Sequence, residues 1–326
     1  MRNATTTTGE SVVMRWRRRL PVLRAYPALQ DAREQVRALR QSVRTLTVDV
    51  ERAAREAEQA HEQVRQRELA LSSVEAADVR LLASPAFDRR RLASIVGDRS
   101  AAYRAADPFP HVVEDGLFDP AFLAAVEREF ESMERGGWHR SDGTHERKWS
   151  LEDAERLGPF TSALIAQLNG GPFVSALETL TGIEGLVPDP HLRGGGLHEI
   201  RQGGLLGVHA DFNVHPRLKL YRRLNLLVYL NRDWDENWGG ALELWSRDGQ
   251  RCVRAIPPHF NRMVLFDTSN FSYHGHPRPL ACPAGRTRKS IALYYYSHER
   301  PSEADATPHG TIFLDAAAAP PVAGDA

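Results

Sequence analysis

The chain has 326 residues with 42 basic and 42 acidic side chains, so its formal net charge is zero. This balance, with 42% hydrophobic and 26% charged residues, is typical of a globular protein and argues against nucleic acid as a partner. No stretch approaches the roughly 18 apolar residues of a transmembrane segment, and the first residues lack a signal-peptide core. The two cysteines, Cys252 and Cys282, are too few for a disulfide scaffold. We therefore predict a cytoplasmic protein.

The first 75 residues divide into a basic arm and a long helix. Residues 1–28 contain six arginines and the single acid Glu10, which predicts a disordered arm. From Leu29 to Val64, apolar residues recur at alternating steps of three and four, which predicts a coiled-coil helix over 29–75. A coiled coil needs a second strand, so we expect a homo-oligomer or another partner through this helix. The alternative is a long solvated helix that lies along the rest of the chain.

A folded domain is expected over 106–300, after a linker with one short helix over 76–105. Asp119 can cap a helix that has Pro120 at its first position and apolar side chains on one face. Further helices are predicted over 151–157, 159–169 and 172–181.

Beyond residue 182 the pattern changes from helices to short strands. Apolar stretches alternate with Gly, Pro, Asn and Asp, which are typical of turns. Strands are predicted over 197–200, 224–230, 241–245, 252–256, 262–267 and 290–296. Helices followed by many short antiparallel strands indicate an α+β fold with a sandwich or jelly-roll barrel. The segment 301–326, rich in Ala, Pro and Asp, is predicted to be a disordered tail.

A candidate metal site combines one short motif with a distant histidine. His209 and Asp211 stand two apart on a predicted strand, so both side chains project from the same face. His274 follows 63 positions after Asp211. Two histidines and a carboxylate form the facial triad of non-haem Fe(II) oxygenases, which leaves coordination positions open for catalysis. His276 is a rival third ligand, but we favour His274 because a proline directly follows His276.

A second candidate site lies near the start of the predicted strand over 290–296. Arg288 and Ser290 stand two apart, so both can point into one barrel. There a guanidinium fork and a hydroxyl can bind a carboxylate. Arg286 is a close rival for this role.

The order His209, Asp211, His274, Arg288 and Ser290 resembles the Fe(II)- and 2-oxoglutarate-dependent oxygenases, in particular their prolyl 4-hydroxylase-like branch. The likeness covers about 196–297, and the segment PFPHVVEDGLFD over 108–119 resembles the usual opening of the family. The resemblance implies a double-stranded β-helix, a cupin-like jelly-roll barrel with supporting helices. It also implies that the two histidines and the aspartate bind Fe(II), and that the arginine and serine bind the distal carboxylate of 2-oxoglutarate.

The same resemblance implies three cofactors or co-substrates: Fe(II), 2-oxoglutarate and O2, with ascorbate as an accessory reductant. Two positions depart from the branch. Ile200 stands where a tyrosine is frequent, and Asn225 stands where a threonine is frequent. Asn225 and Tyr229 are four apart and share one strand face, so we expect them to supply the missing polar contacts to the co-substrate.

Three functions are weighed on these grounds. The leading hypothesis is a dioxygenase that hydroxylates an unactivated C–H bond of a small molecule or of a carrier-linked or sugar-linked substrate. The first alternative is a peptidyl, prolyl-type hydroxylase. The second is a coiled-coil scaffold protein with an inactive barrel. Substrate selectivity is expected in loops over 138–149 and 212–222, whose basic residues hint at an anionic or polar substrate. His198 is a candidate for the pocket lining, and His215 for a surface or supporting position.

Overall fold

The computed structural model describes residues 21–72, 76–299 and 307–314. The chain divides into two compact units, Met1–Ser73 and Val74–Ala326. In the described part of the first unit, helix α1 runs over Pro21–Ser72. It begins earlier than predicted, because Pro21 is tolerated in a first helical turn. Residues 21–28 are thus helical, not disordered, and the rest of the predicted arm lies outside the described residues.

The segment predicted as a linker belongs to the second unit. It forms two helices, α2 (Ala76–Leu82) and α3 (Arg89–Arg104), rather than one. Asp88 caps α3 by accepting a hydrogen bond from the backbone NH of Arg90. The buried face of α3 consists of Leu92, Ile95, Val96 and Tyr103. The expectation of a linker over 76–105 was wrong, because this helical spacing of apolar residues adds α3 to the core.

Three further helices follow. Helix α4 covers Pro120–Ser132, with Asp119 capping it as predicted by accepting from the NH groups of Ala121 and Phe122. The predicted helix over 151–157 is only a 3₁₀ turn, Ala154–Arg156, because Leu151 belongs to a strand. The remaining two helices are α5 (Pro159–Leu168) and α6 (Gly171–Thr181).

The strands of the described chain form one continuous sheet of 13 members. Their bounds are β1 His111–Asp115, β2 His139–Asp142, β3 Glu146–Leu151, β4 Val187–Pro188, β5 Gly196–Ile200, β6 Leu205–Ala210, β7 Tyr221–Tyr229, β8 Leu242–Trp245, β9 Cys252–Ile256, β10 Arg262–Asp267, β11 His274–His276, β12 Arg288–Ser297 and β13 Ile312–Phe313. The main path is β1-β10-β7-β12-β5-β3-β6-β11-β8-β9, and each pairing is antiparallel.

Side chains alternate between the two faces of this sheet. On β7, Leu224, Leu226 and Val228 pack with the helices in one hydrophobic cluster, whereas Asn225 and Leu227 line an interior cavity. The sheet curls over this cavity. Asn225 on β7 bonds to Asp211 beyond β6, although β12, β5 and β3 separate the two strands along the ladder. A curled antiparallel sheet backed by helices is a jelly-roll, so the predicted α+β fold with a long N-terminal helix is confirmed.

Two segments predicted as irregular contain strands. Most of the loop expected over 138–149 forms β2 and β3, which pair with each other. The tail expected to be disordered over 301–326 includes β13, which pairs with β6 at Ala210 and His209. The described part of this tail is residues 307–314. None of the described helices combines the length and apolar character that a membrane crossing requires. The cytoplasmic location stays a prediction.

Candidate active site

Three side chains converge at the ends of two paired strands. His209 lies near the end of β6, Asp211 directly follows that strand, and His274 begins β11, where it pairs with His209. The Nε2 atoms of His209 and His274 lie 3.6 and 3.5 Å from the two carboxylate oxygens of Asp211. All three ligand atoms lie within 4.8 Å of one another, and all three residues are buried. The three predicted residues therefore form a compact group that could hold a metal ion.

Both histidines present the correct nitrogen to this site. His209 Nδ1 lies 2.8 Å from the carbonyl oxygen of Gly207, and His274 Nδ1 lies 2.9 Å from that of Ser272. A carbonyl can only accept, so each Nδ1 carries the proton and each Nε2 keeps a free lone pair. Burial and then the neighbouring His209 lower the pKa of His274 to about 4, so this ligand is neutral near pH 7. These features fit a bound divalent metal ion.

Asp211 is held by two polar neighbours that reach the same oxygen. Its Oδ2 atom accepts from Asn225 Nδ2 at 2.7 Å and lies 3.1 Å from Arg222 Nη2. Arg222 also donates to Asn225 Oδ1 through Nε and Nη2, at 2.9 and 2.6 Å. Burial alone raises the pKa of Asp211, but Arg222 and the two histidines more than offset it and hold that pKa well below its usual range. The carboxylate is therefore ionised and fixed in orientation.

Arg222 is a neighbour of Asp211 that the sequence analysis assigned to a substrate loop. It was grouped with basic residues of a substrate loop, yet its side chain is almost fully buried. Its guanidinium lies 3.5 Å from the ring centroid of Tyr294 and 4.7 Å from that of Phe212. This buried cation contacts Asp211 and so supports the proposed metal site, rather than binding a substrate at the surface.

The spacing of β11 explains why His274, rather than His276, completes the triad. A Cβ atom added to Gly275 would lie 2.7 Å from the carbonyl oxygen of Gly207, so only glycine lets β11 approach β6 this closely. His276 pairs with Leu206, further along β6 and away from Asp211. Among the described residues, neither ring nitrogen of His276 has a hydrogen-bond partner. It lines the interior cavity instead.

This cavity has a volume of about 1010 Å³ and contains the triad. Arg288 lines it and is 5% exposed. Its Nε donates to the carbonyl oxygen of Gly240 at 2.7 Å, and its Nη2 donates to the hydroxyl of Tyr229 at 3.1 Å. Gly240 has φ of +76°, and a Cβ there would lie 3.0 Å from Arg288 Cδ. The glycine therefore makes room for the buried arginine.

The structure separates the two rival arginines. Arg286 is exposed and donates to the carbonyl oxygens of Arg232 and Asp233 on the surface. Ser290, in contrast, lines the cavity beside Arg288. Of these two arginines, only Arg288 presents its guanidinium to the interior.

Four further residues sit on the wall that carries Arg288. Ile200 pairs with Arg288, and His198 pairs with Ser290, across β5 and β12. Lys148 on β3 also lines the cavity, where its Nζ contacts Glu146 at 2.8 Å. Burial and then Lys148 lower the pKa of His198 well below its usual range, so this wall combines the Arg288 and Lys148 side chains with the neutral imidazole of His198. Lys148 was missed because its strand was predicted as a loop.

The C-terminal strand forms another wall. Phe313 pairs with His209, and its ring centroid lies 5.4 Å from that of His209 and 5.1 Å from that of His145. His309 lines the same cavity and contacts Asn270 at 2.6 Å. We call residues 307–314 the C-terminal strap. The sequence offered only one signal for it, the apolar triplet that ends at Leu314.

His215 does not belong to the cavity. It is fully buried, its Nδ1 accepts from the NH groups of Arg217 and Leu218, and its Nε2 lies 3.4 Å from Asp189. It therefore organises the loop over 212–222, which agrees with the predicted supporting position.

Two histidines and a carboxylate inside a jelly-roll barrel define the class of non-haem metal-dependent enzymes. Residues 195–296 match the sequence model of the 2OG-Fe(II) oxygenase superfamily. The resemblance inferred from the sequence is thereby confirmed, together with Fe(II) and 2-oxoglutarate as the cofactors that suit the site.

Individual proteins with a similar sequence or fold share only a small part of their sequence with this chain. The chain is 30% identical over 79 residues to the prolyl 3-hydroxylase OGFOD1 of Mus musculus, a match that covers 23% of this chain and only 14% of the relative. The fold is similar to a prolyl 4-hydroxylase from Phytophthora capsici, at 22% identity and a TM-score of 0.48, covering 69% of this chain and 70% of the other. HygX from Streptomyces hygroscopicus, solved with nickel, 2-oxoglutarate and hygromycin B, gives 14% identity, a TM-score of 0.41 and coverages of 63% and 92%.

Proposed function

We propose that this protein is a 2-oxoglutarate-dependent dioxygenase that hydroxylates an unactivated C–H bond. The observation that carries the proposal is the convergence of the ligand atoms of His209, Asp211 and His274 within 4.8 Å, in a cavity that also holds Arg288. When bound there, Fe(II) and 2-oxoglutarate activate O2, yielding succinate, carbon dioxide and a substrate that has gained one oxygen atom. The protein supplies binding, orientation and exclusion of water.

The metal would be held by the three convergent side chains. Each imidazole donates its Nδ1 proton to a backbone carbonyl, which fixes the ring and leaves Nε2 for the metal. Asn225 and Arg222 engage one oxygen of Asp211, so the other oxygen is available as a ligand. In this proposal Asn225 is a positioning residue for Asp211. Its predicted contact with the co-substrate stays a prediction.

Arg288, Tyr229 and Ser290 would bind the distal carboxylate of 2-oxoglutarate. The Nε and Nη2 atoms of Arg288 already contact Gly240 and Tyr229, which leaves Nη1 for the carboxylate. The Tyr229 hydroxyl accepts from Arg288, so its own proton can be donated to the same ligand. Ser290 pairs directly with Tyr229 across β12 and β7, and its hydroxyl can add a third contact.

Lys148 would compensate for the absence of a tyrosine at position 200. Trp149 pairs with Glu199, and one step along this antiparallel register brings Lys148 beside Ile200. Ile200 in turn pairs with Arg288. Lys148 therefore adds a second cation to the wall that faces the co-substrate, where a dicarboxylic acid needs charge compensation.

Release of succinate tests the proposed activity. The full chain, supplied with Fe(II), ascorbate and 2-oxoglutarate under air, should release succinate slowly even without a substrate. His209→Ala should abolish this release, whereas His298→Ala, at an exposed histidine that does not line the cavity, should retain it. A protein that binds Mn(II) but releases no succinate with any substrate would favour the alternative of an inactive barrel carried by a scaffold helix.

The leading substrate class is a small molecule or a carrier-linked or sugar-linked compound. A cavity of about 1010 Å³ lies at the upper end of the range for small-molecule sites. Its mouth carries both Arg193 and the acids Glu152 and Asp153, so polar recognition is available. A succinate-release screen over amino acids, nucleotide sugars and carrier-bound acids should show stimulation by one of these classes, with a product heavier by one oxygen atom.

Peptidyl hydroxylation is the second candidate. Two observations favour it: the local identity to a prolyl 3-hydroxylase, and the way the C-terminal strap lies as an extended chain against β6. An extended peptide can bind beside a strand in the same manner. Proline-rich peptides should then gain one oxygen atom by mass spectrometry. If no peptide changes mass while a small molecule does, this candidate is rejected.

A further inference from the structure

Helix α1 carries a stripe of apolar residues that the described part of its own unit leaves in solvent. Seven members of this stripe are 47 to 66% exposed, although they are large hydrophobic side chains: Leu29, Val36, Leu39, Val43, Leu46, Val50 and Val64. Single exposed apolar residues are normal, but a continuous stripe on one helix indicates an interaction surface. The helix is 52 residues long, so the stripe spans several heptads.

We infer that α1 forms a parallel, two-stranded coiled coil with a second copy of this chain. The stripe residues fall into two heptad positions, a and d, which alternate along it. Position a holds Val36, Val43 and Val50, and position d holds Leu39 and Leu46. β-Branched residues at a with leucine at d favour parallel dimers over trimers and tetramers.

The charges that flank the stripe identify the second strand as another copy. Position e, on one flank, carries Arg33, Arg40 and His61 and has no acid over 29–66. Position g, on the other flank, carries Asp49 and Glu56 and has no base over the same range. In a parallel pair, each e position faces a g position of the other copy. One chain thus supplies both the basic and the acidic flank.

The facing pairs agree with this arrangement. Gln35 of one copy meets Arg40 of the other, and Glu56 meets His61, so no pair brings like charges together. An antiparallel pair would instead place e beside e, which brings the basic flanks of both copies against each other. The absence of like-charge pairs therefore favours a parallel pair of this chain with itself over an antiparallel one.

Packing should be stronger in the first half of the helix than in the second. Residues 53, 57 and 60 are alanines at stripe positions, and they bury less area than valine or leucine. The valines and leucines between Val36 and Val50 would therefore supply most of the dimer stability. A substitution in this part gives the sharpest test.

Val43 and Val48 form a matched pair for that test. Both are valines on α1, 60% and 51% exposed, but Val43 lies in the stripe and Val48 lies at position f, on the opposite face. The full chain should sediment at twice its mass of 36.5 kDa. Val43→Glu should shift it toward the monomer, because a parallel dimer places two carboxylates side by side in the interface. Val48→Glu should leave the dimer intact.

Cross-linking tests the direction. In a background with Cys252→Ser and Cys282→Ser, Val43→Cys should form a disulfide-linked dimer on mild oxidation, since equivalent a positions adjoin each other only in a parallel pair. Val48→Cys should not. A monomeric chain, a trimeric or tetrameric mass, equal effects of the two glutamates, or failure of Val43→Cys to cross-link a proven dimer would each overturn the inference. None of these outcomes depends on succinate release, so the proposed enzyme activity is tested separately.

Discussion

Asn225 on β7 donates a 2.7 Å hydrogen bond to Asp211, which directly follows β6. Three strands lie between β7 and β6 along the ladder, so this bond crosses the interior of the barrel. This contact therefore links the orientation of a proposed metal ligand to the curl of the sheet.

Replacing Asn225 should weaken metal binding. In Asn225→Ala, Asp211 loses its amide donor, and we expect the dissociation constant for Mn(II) to rise about 10-fold to 100-fold, as for other residues that orient metal ligands. Electron paramagnetic resonance of free Mn(II) measures this directly. Asn237→Ala, at an exposed asparagine, serves as the control. Unchanged Mn(II) affinity in Asn225→Ala would show that Arg222 alone fixes the carboxylate.

The two rival arginines provide a test of the co-substrate pocket. Arg288→Met removes the only buried guanidinium that faces the cavity from β12, and we expect the dissociation constant for 2-oxoglutarate to rise at least about 30-fold, the value of a strong charge-assisted hydrogen bond. Arg286→Met, on the surface, should change it less than about twofold. Calorimetric titration of 2-oxoglutarate into the Mn(II)-loaded protein compares them. A larger rise of the dissociation constant in Arg286→Met than in Arg288→Met would identify Arg286 as the residue that binds the carboxylate.

Lys148 should also contribute to 2-oxoglutarate binding. Lys148→Met keeps most of the side-chain length but removes the charge, and we expect a rise of about 5-fold to 10-fold in the KM for 2-oxoglutarate, with little change in kcat. Lys219→Met, at an exposed lysine of the 212–222 loop, is the matched control. If Lys148→Met instead alters only the KM of the hydroxylated substrate, Lys148 belongs to the substrate site.

The raised pKa of Asp267, which lies outside the proposed metal site, predicts that the stability of the protein depends on pH. Burial raises its pKa from 3.8 to about 6, and its carboxyl contacts the Tyr103 hydroxyl on α3. The folded state binds this proton more tightly than the unfolded state. Protonated Asp267 therefore makes its full contribution to the free energy of unfolding below about pH 4, and this contribution is lost as pH rises through about 6. Asp267→Asn mimics the protonated form, so it should stabilise the protein by about 2 kcal/mol at pH 7.5 and by much less at pH 4.5.

Urea unfolding of the wild type and Asp267→Asn at both pH values provides the measurement. The Asp98→Asn variant, at an aspartate on the exposed face of α3, controls for the loss of a carboxylate. A stabilisation that is equal at both pH values would indicate a cause other than titration of Asp267.

Phe313 should control water access to the proposed metal. Phe313→Ala removes the ring beside His209, and we expect more succinate per hydroxylated product, because water reaches the site during turnover. Ile312→Ala changes the neighbouring residue, which is 41% exposed, and should leave that ratio unchanged. The ratio is measured once the succinate screen has identified a substrate. Equal ratios for the two variants would show that the C-terminal strap does not control water access to the proposed metal.

The sequence predicted the parts of this structure that depend on local spacing. His209 and Asp211 share a face because strand side chains alternate, and Asp119 caps α4 through contacts within three residues. The distant His274 could be chosen because the order of ligands and anchor resembled a known family. These predictions needed no knowledge of which strands are neighbours.

The remaining features depend on contacts between distant segments. The run Arg89–Arg90–Arg91 concealed the buried face of α3, because average polarity hides a narrow apolar stripe. The polar residues of β3 concealed Lys148, and the alanine-rich tail concealed β13. The bond between Asn225 and Asp211 could not be foreseen, because it joins strands that are not adjacent in the sheet.

The C-terminal strap also sets an order of events during protein synthesis. Phe313 is translated 104 residues after His209, yet the two rings adjoin each other in the folded state. The ribosome must therefore pass codon 314 before the last wall of the cavity can close. Until then His209 lacks the Phe313 ring that adjoins it in the folded chain.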